Sequence, residues 1–312
     1  MTDETSLSPA DLPPGLQVLE RGWLSSNSVL FLGARYTALV DSGYCTHADQ
    51  TLALVAAGLQ GRTLDRLVNT HLHSDHCGGN AALQGRWPAL RTSIPPGLAA
   101  AVAAWDPAAL GYQHAGQSCP RFRHDEVLRP GAEIELGERS WQVHAAPGHD
   151  PDSVILFEPC SRTLISADAL WENGFGVVFP ELEGVAAFDE VSGTFDLIER
   201  LGPRCVIPGH GPVFRFEAAV LRRARDRLQV FVRNPERHAR HAAKVLLKFR
   251  LLEFRYMAFD ELVAWAGGTP HFQGIHRRFA PTVPVADWID MLTQELVRSQ
   301  VLRRVGDTIH DV

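Results

Sequence analysis

The sequence has few cysteines, no long apolar run and no signal-peptide pattern. Its five cysteines are scattered, without a CxxC pair, which argues against a disulfide scaffold and against a cysteine-rich zinc site. The longest apolar stretches, such as residues 52–59 and 98–105, are far too short to span a bilayer. The first residues are polar and acidic, unlike a secretory leader. These absences predict a cytoplasmic protein with no membrane partner.

The charges of the two signs nearly balance, and the composition is ordinary. The 30 Lys and Arg residues against 36 Asp and Glu residues give a formal net charge of -6, which implies no general attraction to nucleic acid or membrane. Hydrophobic residues make up 45% of the 312 positions, which excludes disordered and low-complexity classes. The length suits one large domain or two ordinary ones.

The texture of the sequence changes twice along the chain. Residues 1–15 contain several prolines and predict a flexible leader. Over residues 16–215, short β-type runs alternate with helical patterns, which is typical of an α/β domain. Residues 216–312 are mostly helical and predict a second domain, in which helices over 259–267 and 285–307 precede a short terminal strand. That order favours a winged-helix-like module.

Within the α/β region, local patterns predict the individual elements. Strands are expected over residues 27–33, 35–43, 64–70, 153–159, 162–168 and 204–209, and a hairpin over residues 132–146. Helices are expected over residues 47–59 and 187–201. Side chains suited to metal binding follow several of these strands.

The first such side chains form the motif His71-Leu-His73-Ser-Asp75-His76. Two histidines two positions apart on an extended segment project to the same side, so His71 and His73 can bind one ion. The following turn offers Asp75 and His76 to a second ion beside it. The glycine pair 78–79 lets the backbone turn closely beneath both. The alternative, a surface histidine cluster without function, requires that no further ligands exist downstream.

Further candidate ligands do exist downstream, each at the end of a predicted strand. They are His149, Asp168 and His210. Taken singly, the histidines could be turn residues and the aspartate a helix N-cap. Taken with the first motif, they predict loops that meet at one edge of a β-sandwich and hold metal there. A set of histidines and carboxylates without thiolates suits zinc, iron or manganese, and the ligand types do not choose among them.

The segments HLHSDHCGGN, APGHDPDS, SADAL and IPGHGP, in this order and spacing, resemble the motifs of the metallo-β-lactamase-fold hydrolases, in particular of their glyoxalase II-like branch. The resemblance covers residues 16–215. It implies an αββα sandwich, in which two mixed sheets lie face to face with helices outside. The helical, winged C-terminal region resembles a branch that includes thioesterases acting on carrier-bound acyl groups and a single-strand-specific endoribonuclease.

The resemblance also implies a set of metal ligands. His71, His73 and His149 correspond to ligands of a first ion. Asp75, His76 and His210 correspond to ligands of a second ion, and Asp168 bridges the two. Asp41 matches a buried aspartate at the end of a strand that supports the ligand loops, with a turn-capping aspartate as the alternative. Two divalent ions are implied, with zinc expected first and iron or manganese as alternatives.

The implied chemistry is hydrolysis by a hydroxide that the two ions share at neutral pH. Asp75 is expected to orient this hydroxide as well as to bind metal. No G-x-S-x-G segment is present, which disfavours a serine nucleophile. We predict a hydrolase of thioesters or related small acyl esters. The segment 209–212 differs from the Gly-His-Glu-Tyr type of the glutathione-binding members, so lactoylglutathione itself is not predicted as the substrate.

Apolar residues that follow Asp168 are predicted to line the substrate pocket or a dimer contact. The candidates for the pocket are Trp171, Phe175 and Phe179.

A basic segment over residues 221–250 leaves further alternatives open. It carries ten Lys and Arg residues against two acidic ones, and could bind RNA or a carrier protein. The alternative is the solvated face of an amphipathic helix that pairs with the acidic catalytic region. The competing functions are therefore a single-strand-specific endoribonuclease and a non-catalytic regulatory protein. A mononuclear iron oxygenase, with iron bound only by His71, His149 and Asp168, is a further alternative.

Overall fold

The structure, a computed structural model, describes residues 12–312. Residues 1–11 of the predicted leader lie outside the described residues. From Leu12 onward the chain contacts the rest of the molecule: Leu12 packs on the core of the sandwich, and the Leu32 amide donates to the Gly15 carbonyl at 2.7 Å.

The first sheet of the described chain has six strands in sequence order. They are β1 Leu16–Leu19, β2 Ser28–Leu32, β3 Thr37–Val40, β4 Arg66–Val68, β5 Arg91–Ile94 and β6 Glu126–Val127. The pairs β1–β2 and β2–β3 are antiparallel, whereas β3 to β6 run parallel. The connections contain the helices α1 Ala48–Leu59, α2 Ser74–Cys77, α3 Asn80–Arg86, α4 Ala99–Ala104 and α5 Pro107–Leu110.

The second sheet also has six strands in the described chain, in the order β12-β11-β10-β9-β8-β7. Their bounds are β7 Glu133–Leu136, β8 Arg139–Ala145, β9 Val154–Glu158, β10 Thr163–Ala167, β11 Cys205–Pro208 and β12 Phe214–Arg215. Two helices, α6 Phe179–Glu183 and α7 Phe188–Leu201, lie between β10 and β11. The strands β10 and β11 pair in parallel, and the other neighbours in this sheet are antiparallel.

Alternating side chains of the strands supply two different layers of core. On β2, Val29 and Phe31 enter the core between the sheets, while Leu30 packs outward against α1 and α3. On β9, Leu156 points between the sheets and Phe157 packs outward near α7. Because both faces of each sheet are covered, the strands are apolar on both sides. The αββα architecture predicted from the sequence is confirmed.

The C-terminal region is helical and ends in a small sheet. It contains α8 Ala218–Arg233, α9 Pro235–Phe254, β13 Tyr256–Ala258, α10 Phe259–Gly268, α11 Pro270–Phe279, α12 Val285–Arg298, β14 Leu302–Val305 and β15 Thr308–Asp311. The three strands pair antiparallel in the order β13-β15-β14. The predicted helical character is confirmed, and the winged-helix assignment stays a prediction. The helix expected over 285–307 ends at Arg298, because Gln300 adopts a left-handed φ of 60° before β14 begins.

The α/β and C-terminal regions share apolar contacts. Val177 and Leu182 from the α/β region belong to the same buried cluster as Leu247 of α9 and Phe272 of α11. The α8 helix packs on α7 and on the outer face of the second sheet. No helix within residues 12–312 combines the length and apolar character needed to cross a bilayer.

Candidate metal centre

The structure brings the seven predicted ligands together at one edge of the sandwich. Their loops follow β4, β8, β10 and β11, whose ends meet at that edge. The ligand atoms form two groups. Within each group, all ligand atoms lie within 4.8 Å of one another. The first ligand group is His71, His73 and His149, and the second is Asp75, His76, Asp168 and His210. We call the two groups together the metal centre.

Hydrogen bonds orient the imidazoles of the first ligand group. His149 Nδ1 donates to the Val177 carbonyl at 2.5 Å, which leaves its Nε2 free to bind a metal. That Nε2 lies 2.8 Å from Nδ1 of His73. His71 Nδ1 lies 3.2 Å from the Thr70 hydroxyl, and its Nε2 is buried without a hydrogen-bond partner. A buried nitrogen without a partner is costly, and a bound cation would satisfy it.

Asp168 lies between the two ligand groups. Its Oδ2 is 3.4 Å from Nε2 of His149 in the first group. Its Oδ1 is 3.4 Å from Nε2 of His76 and 3.8 Å from Nε2 of His210 in the second. Asp75 Oδ2 completes this side, 3.1 Å from Nε2 of His210. One carboxylate oxygen faces each group, which is the arrangement that a bridging ligand requires.

Asp41 supports the metal centre from behind. Its Oδ2 accepts from Nδ1 of His76 at 2.8 Å, and its Oδ1 accepts from the Thr70 amide at 2.9 Å. The Thr70 hydroxyl also donates to Asp41, at 2.7 Å. Asp41 is only 3% exposed and adopts a left-handed φ of 58°. It therefore fixes the orientation of His76 and the start of the ligand loop.

The electrostatics of the metal centre favour bound cations. Burial lowers the pKa of His71 well below its ordinary value and that of His149 to about 4, so both imidazoles are neutral at pH 7. Burial alone would raise the pKa of Asp168, but His76 and His210 outweigh it and hold that pKa well below its usual range. Neutral imidazoles and ionised carboxylates are the forms that bind metals. Burial alone would lower the pKa of His76, but Asp168 and Asp41 outweigh it and hold that pKa well above its ordinary value, so this imidazole would release a proton when it binds a cation. The donor set therefore fits two divalent cations.

Backbone without side chains packs directly against the ligands. A Cβ on Gly209 would lie 2.3 Å from Oδ1 of Asp168, and one on Gly176 would lie 2.4 Å from Nδ1 of His149. Ala167, immediately before Asp168, adopts a left-handed φ of 46°. At both glycine positions a larger side chain would displace the neighbouring candidate ligand, so the positions of these ligands depend on glycine in the adjacent loops.

Two of the three predicted pocket residues lie next to ligands. Trp171 Nε1 donates to Oδ1 of Asp168 at 3.2 Å. The Phe179 ring is 5.7 Å from the ring of His73. Phe175 is instead 2% exposed and packs in the cluster that covers the outer face of the second sheet, where its ring meets Phe195 at 5.4 Å. Because its contacts are with this core, Phe175 supports the loop from behind.

Two aromatic side chains, Trp23 and His238, contact a candidate ligand or the loop beside it, although no sequence pattern indicated them. Trp23 is 54% exposed, yet its ring stacks on that of His210 at 5.3 Å and meets Trp171 edge-on at 5.3 Å. His238 of α9 is 1% exposed, and its Nε2 accepts from the Val178 amide at 3.3 Å. The only signal for Trp23 is a large aromatic residue in a polar stretch, and no spacing links either residue to the motifs.

Asn27 is a third residue that the sequence reasoning missed. Its side-chain amide donates to the carbonyls of Pro208 at 3.0 Å and Gly211 at 2.7 Å, on either side of His210. The loop before β2 thereby fixes the loop that carries His210.

The sequence is similar to those of several curated proteins. A hydroxyacylglutathione hydrolase from Anaeromyxobacter dehalogenans (strain 2CP-C) is 36% identical over 140 residues, 45% of this chain and 44% of the relative. The chain spans about half the length of the first curated relatives that it matches.

Several solved structures are similar to the chain as well. A metallo-beta-lactamase family protein from Thermus thermophilus superposes with a TM-score of 0.55 over 96% of this chain and 99% of that chain, at 19% identity, which supports the fold alone. A protein solved in a di-iron-bound form is 25% identical, with a TM-score of 0.51 over 64% of this chain and 94% of that chain. The family model of the metallo-beta-lactamase superfamily matches residues 21–210, more than half of the sequence. The chain belongs to the metallo-beta-lactamase superfamily.

Proposed function

We propose that this protein is a dinuclear metal-dependent hydrolase of thioesters or related small acyl esters. The observation that carries the proposal is the position of Asp168, with one oxygen toward each of two complete ligand groups. The hydroxyacylglutathione hydrolase relatives support a thioester as the scissile bond. The second ligand group includes Asp75, His76 and His210, which argues against a mononuclear iron site built only from His71, His149 and Asp168.

The first ligand group would hold one cation and the second group the other, with Asp168 shared. Two divalent ions bound there would supply Lewis acidity and a water of lowered pKa. We propose zinc, and the di-iron form of a structural relative keeps iron as the alternative.

The residues of the chain then have distinct tasks. Burial alone would raise the pKa of Asp75, but His76 and the hydrogen bond from His210 outweigh it and lower that pKa. Asp75 is therefore ionised at pH 7, and as a hydrogen-bond acceptor it orients the attacking water. Trp23, Trp171 and Phe179 form an apolar rim beside the ligands, which suits an acyl chain.

The basic segment supports a small substrate more than RNA. Seven of its ten cationic side chains already bond or pair within the described chain: Arg223, Arg225, Arg227, Arg240, Lys244, Lys248 and Arg250. Five of the seven pair with a carboxylate, and charges neutralised in this way contribute little to binding phosphates. Recognition of a carrier protein by this segment, and a cytoplasmic location, stay part of the proposal.

A chelator-controlled assay tests the proposed function. Purified protein of measured metal content is incubated with a panel of acyl thioesters and, in parallel, with a labelled single-stranded RNA. Thioester hydrolysis that stops with chelator and returns with metal, while the RNA stays intact, is the expected result. Cleavage of RNA without thioester hydrolysis would establish the endoribonuclease alternative instead, and no reaction with either would refute the assignment.

A further inference from the structure

Three more residues of metal-binding type meet outside the metal centre: His114, Glu183 and His271. His271 Nδ1 lies 3.2 Å from Oε1 of Glu183, and His114 Nε2 lies 3.9 Å from the same oxygen. Their ligand atoms all fall within 4.8 Å of one another. We call these residues the 114–183–271 cluster. It shares no residue with either ligand group of the metal centre.

The cluster joins the catalytic region to the C-terminal region. His114 lies in the turn that follows α5, Glu183 is the last residue of α6, and His271 is the second residue of α11. A main-chain hydrogen bond from the His271 amide to the His114 carbonyl, 3.0 Å long, ties two of these elements together. The three side chains are therefore held by separate parts of the fold and not by one flexible loop.

The spacing fits a divalent metal of the zinc type. Metal–ligand bonds of about 2.0–2.2 Å in tetrahedral geometry place ligand atoms about 3.3–3.6 Å apart. The observed 3.2 and 3.9 Å require only small side-chain shifts to reach that range. Two imidazoles and one carboxylate are also a donor set that zinc uses in proteins, with the fourth position left to water.

One histidine of the cluster is buried. His271 is 7% exposed, and its Nδ1 faces Glu183, whereas its Nε2 points away from the cluster on the other side of the ring. Because both histidines face the same carboxylate oxygen, a shared cation explains the arrangement better than one isolated pair does.

Neighbouring arginines do not turn the cluster into an anion site. Arg277 and Arg278 line the same cavity of about 390 Å³. Arg278 donates to the carbonyls of Glu181 and Leu182 at 3.2 and 3.3 Å, and Arg277 bonds to Gln273 at 3.3 Å. Both guanidiniums thus have partners, and the carboxylate of Glu183 between the two imidazoles would repel an anion.

We propose that His114, Glu183 and His271 form a third metal site, which binds a single zinc-type divalent cation and ties α11 to the catalytic region. His114 and Glu183 have side chains that are 52% and 55% exposed, so this ion exchanges with solvent more readily than ions in the buried metal centre. The site has a structural role and does not depend on the proposed hydrolase activity.

The position of the third site links it to the substrate side of the metal centre. Phe179 begins the short helix α6 that Glu183 ends. Its ring is 5.1 Å from that of His271 and 5.7 Å from that of His73. Binding a cation at Glu183 would therefore fix the helix that places Phe179 beside the first ligand group.

Counting metal equivalents tests the third site without any substrate. The full-length protein is freed of metal with a chelator and titrated with Zn²⁺ against a chromophoric competitor. We expect His114→Asn and Glu183→Gln to bind one equivalent fewer than the unmodified protein, with the tighter equivalents unchanged. The weakest equivalent should also raise the Tm of the unmodified protein and leave that of both variants unchanged.

The controls make the result decisive. His144→Asn is the matched control, because His144 is partly buried on β8 and bonds only to Gln142 among the described residues; it should keep every equivalent. His271→Asn is a further variant, and the two exposed positions keep the test valid if that buried change impairs folding. Identical stoichiometry in the unmodified protein and both exposed variants would overturn the third site, whether or not the protein hydrolyses thioesters.

Discussion

The metal centre and the basic helices α8 and α9 both concentrate ionisable residues, but they use them differently. In the metal centre, buried histidines and carboxylates face each other, and the Nε2 atom of His71 lacks any hydrogen-bond partner among the described residues. On the helices, most cationic side chains find a carboxylate or carbonyl of the chain itself, such as Lys244 with Glu295 at 3.0 Å. Buried nitrogens and carboxylates without hydrogen-bond partners indicate a binding or catalytic site, whereas paired surface charges indicate packing and solubility.

Removing the carboxylate that lies between the two ligand groups should have the largest effect on hydrolysis and on bound metal. Asp168→Ala takes away the oxygens that face both ligand groups. We expect hydrolysis to fall by at least about 10³-fold, since the charge stabilisation and positioning of the reacting water both depend on the ions. Bound metal, measured by elemental analysis, should fall as well, while circular dichroism shows an intact fold.

Asp290→Ala is the matched control for this change. Asp290 is a partly exposed aspartate on α12 that pairs with Arg304. It should keep its activity and metal content. Full activity in Asp168→Ala would refute the dinuclear arrangement.

Removing the supporting carboxylate should have a smaller effect. Asp41→Asn leaves all seven ligands in place but weakens the acceptor that orients His76 and Thr70. Loss of such a partner typically lowers metal affinity or activity by about 10–100-fold. Zinc titration should show weaker binding of one equivalent, and added metal should restore part of the activity. Unchanged affinity for both equivalents would reduce Asp41 to a turn-capping residue.

The convergence of the seven candidate ligands could be predicted from the sequence because they follow strands. His149, Asp168 and His210 come directly after buried β runs, and strands of one sheet that end at the same edge bring their loops together. The local patterns also recovered strands of both sheets and the helices α1 and α7, but they missed β1, β5, β6 and β12, which are edge strands or short strands of two to four residues.

Contacts between regions could not be predicted in this way. Trp23 and His238 lie in segments whose local patterns say nothing about the metal centre. Phe175 shares its apolar character with Trp171 and Phe179, which lie beside candidate ligands. Which apolar residue faces a candidate ligand and which faces the core depends on how α8 and α9 pack on the α/β region. That packing involves residues far apart in sequence, and no short-range periodicity encodes it.

The pH dependence of the stability of the metal-free protein should report on this packing, because the packing buries His238. Burial, aided by Arg227, lowers the pKa of His238 from 6.5 to about 4. Between these values the unfolded chain binds a proton that the folded chain does not. The free energy of unfolding should therefore fall as the pH drops from 6.5 toward 4, by about 1.4 kcal/mol per pH unit for this group.

His238→Gln separates this titration from others in the molecule. The glutamine oxygen can still accept from the Val178 amide, but the side chain does not titrate. Urea unfolding at several pH values should give a shallower slope for this variant over the window, and an unchanged slope for His310→Gln, which removes a histidine beside Tyr256 in the small sheet. Parallel curves for all three proteins would show that His238 is already protonated in the folded state.

The smallest effect is expected at a paired charge of the basic segment. Glu295 of α12 bonds to Arg240 and to Lys244. Burial alone would raise the pKa of Glu295, but these hydrogen bonds outweigh it and lower that pKa. Glu295→Gln should cost only about 0.5 kcal/mol of stability in urea unfolding, less at high salt, because partly exposed ion pairs are screened. Glu236→Gln, an exposed position on α9, should cost less still.

The same variant also tests whether the helices bind RNA. Glu295→Gln leaves two cations of the 221–250 segment without their carboxylate, so a phosphate-binding surface would gain affinity for single-stranded RNA and a steeper dependence on salt. If the cations serve packing alone, binding stays undetectable while stability falls slightly. Tighter, salt-sensitive RNA binding would remove the contrast between the two regions, because the helices would then also present ionisable groups to a ligand.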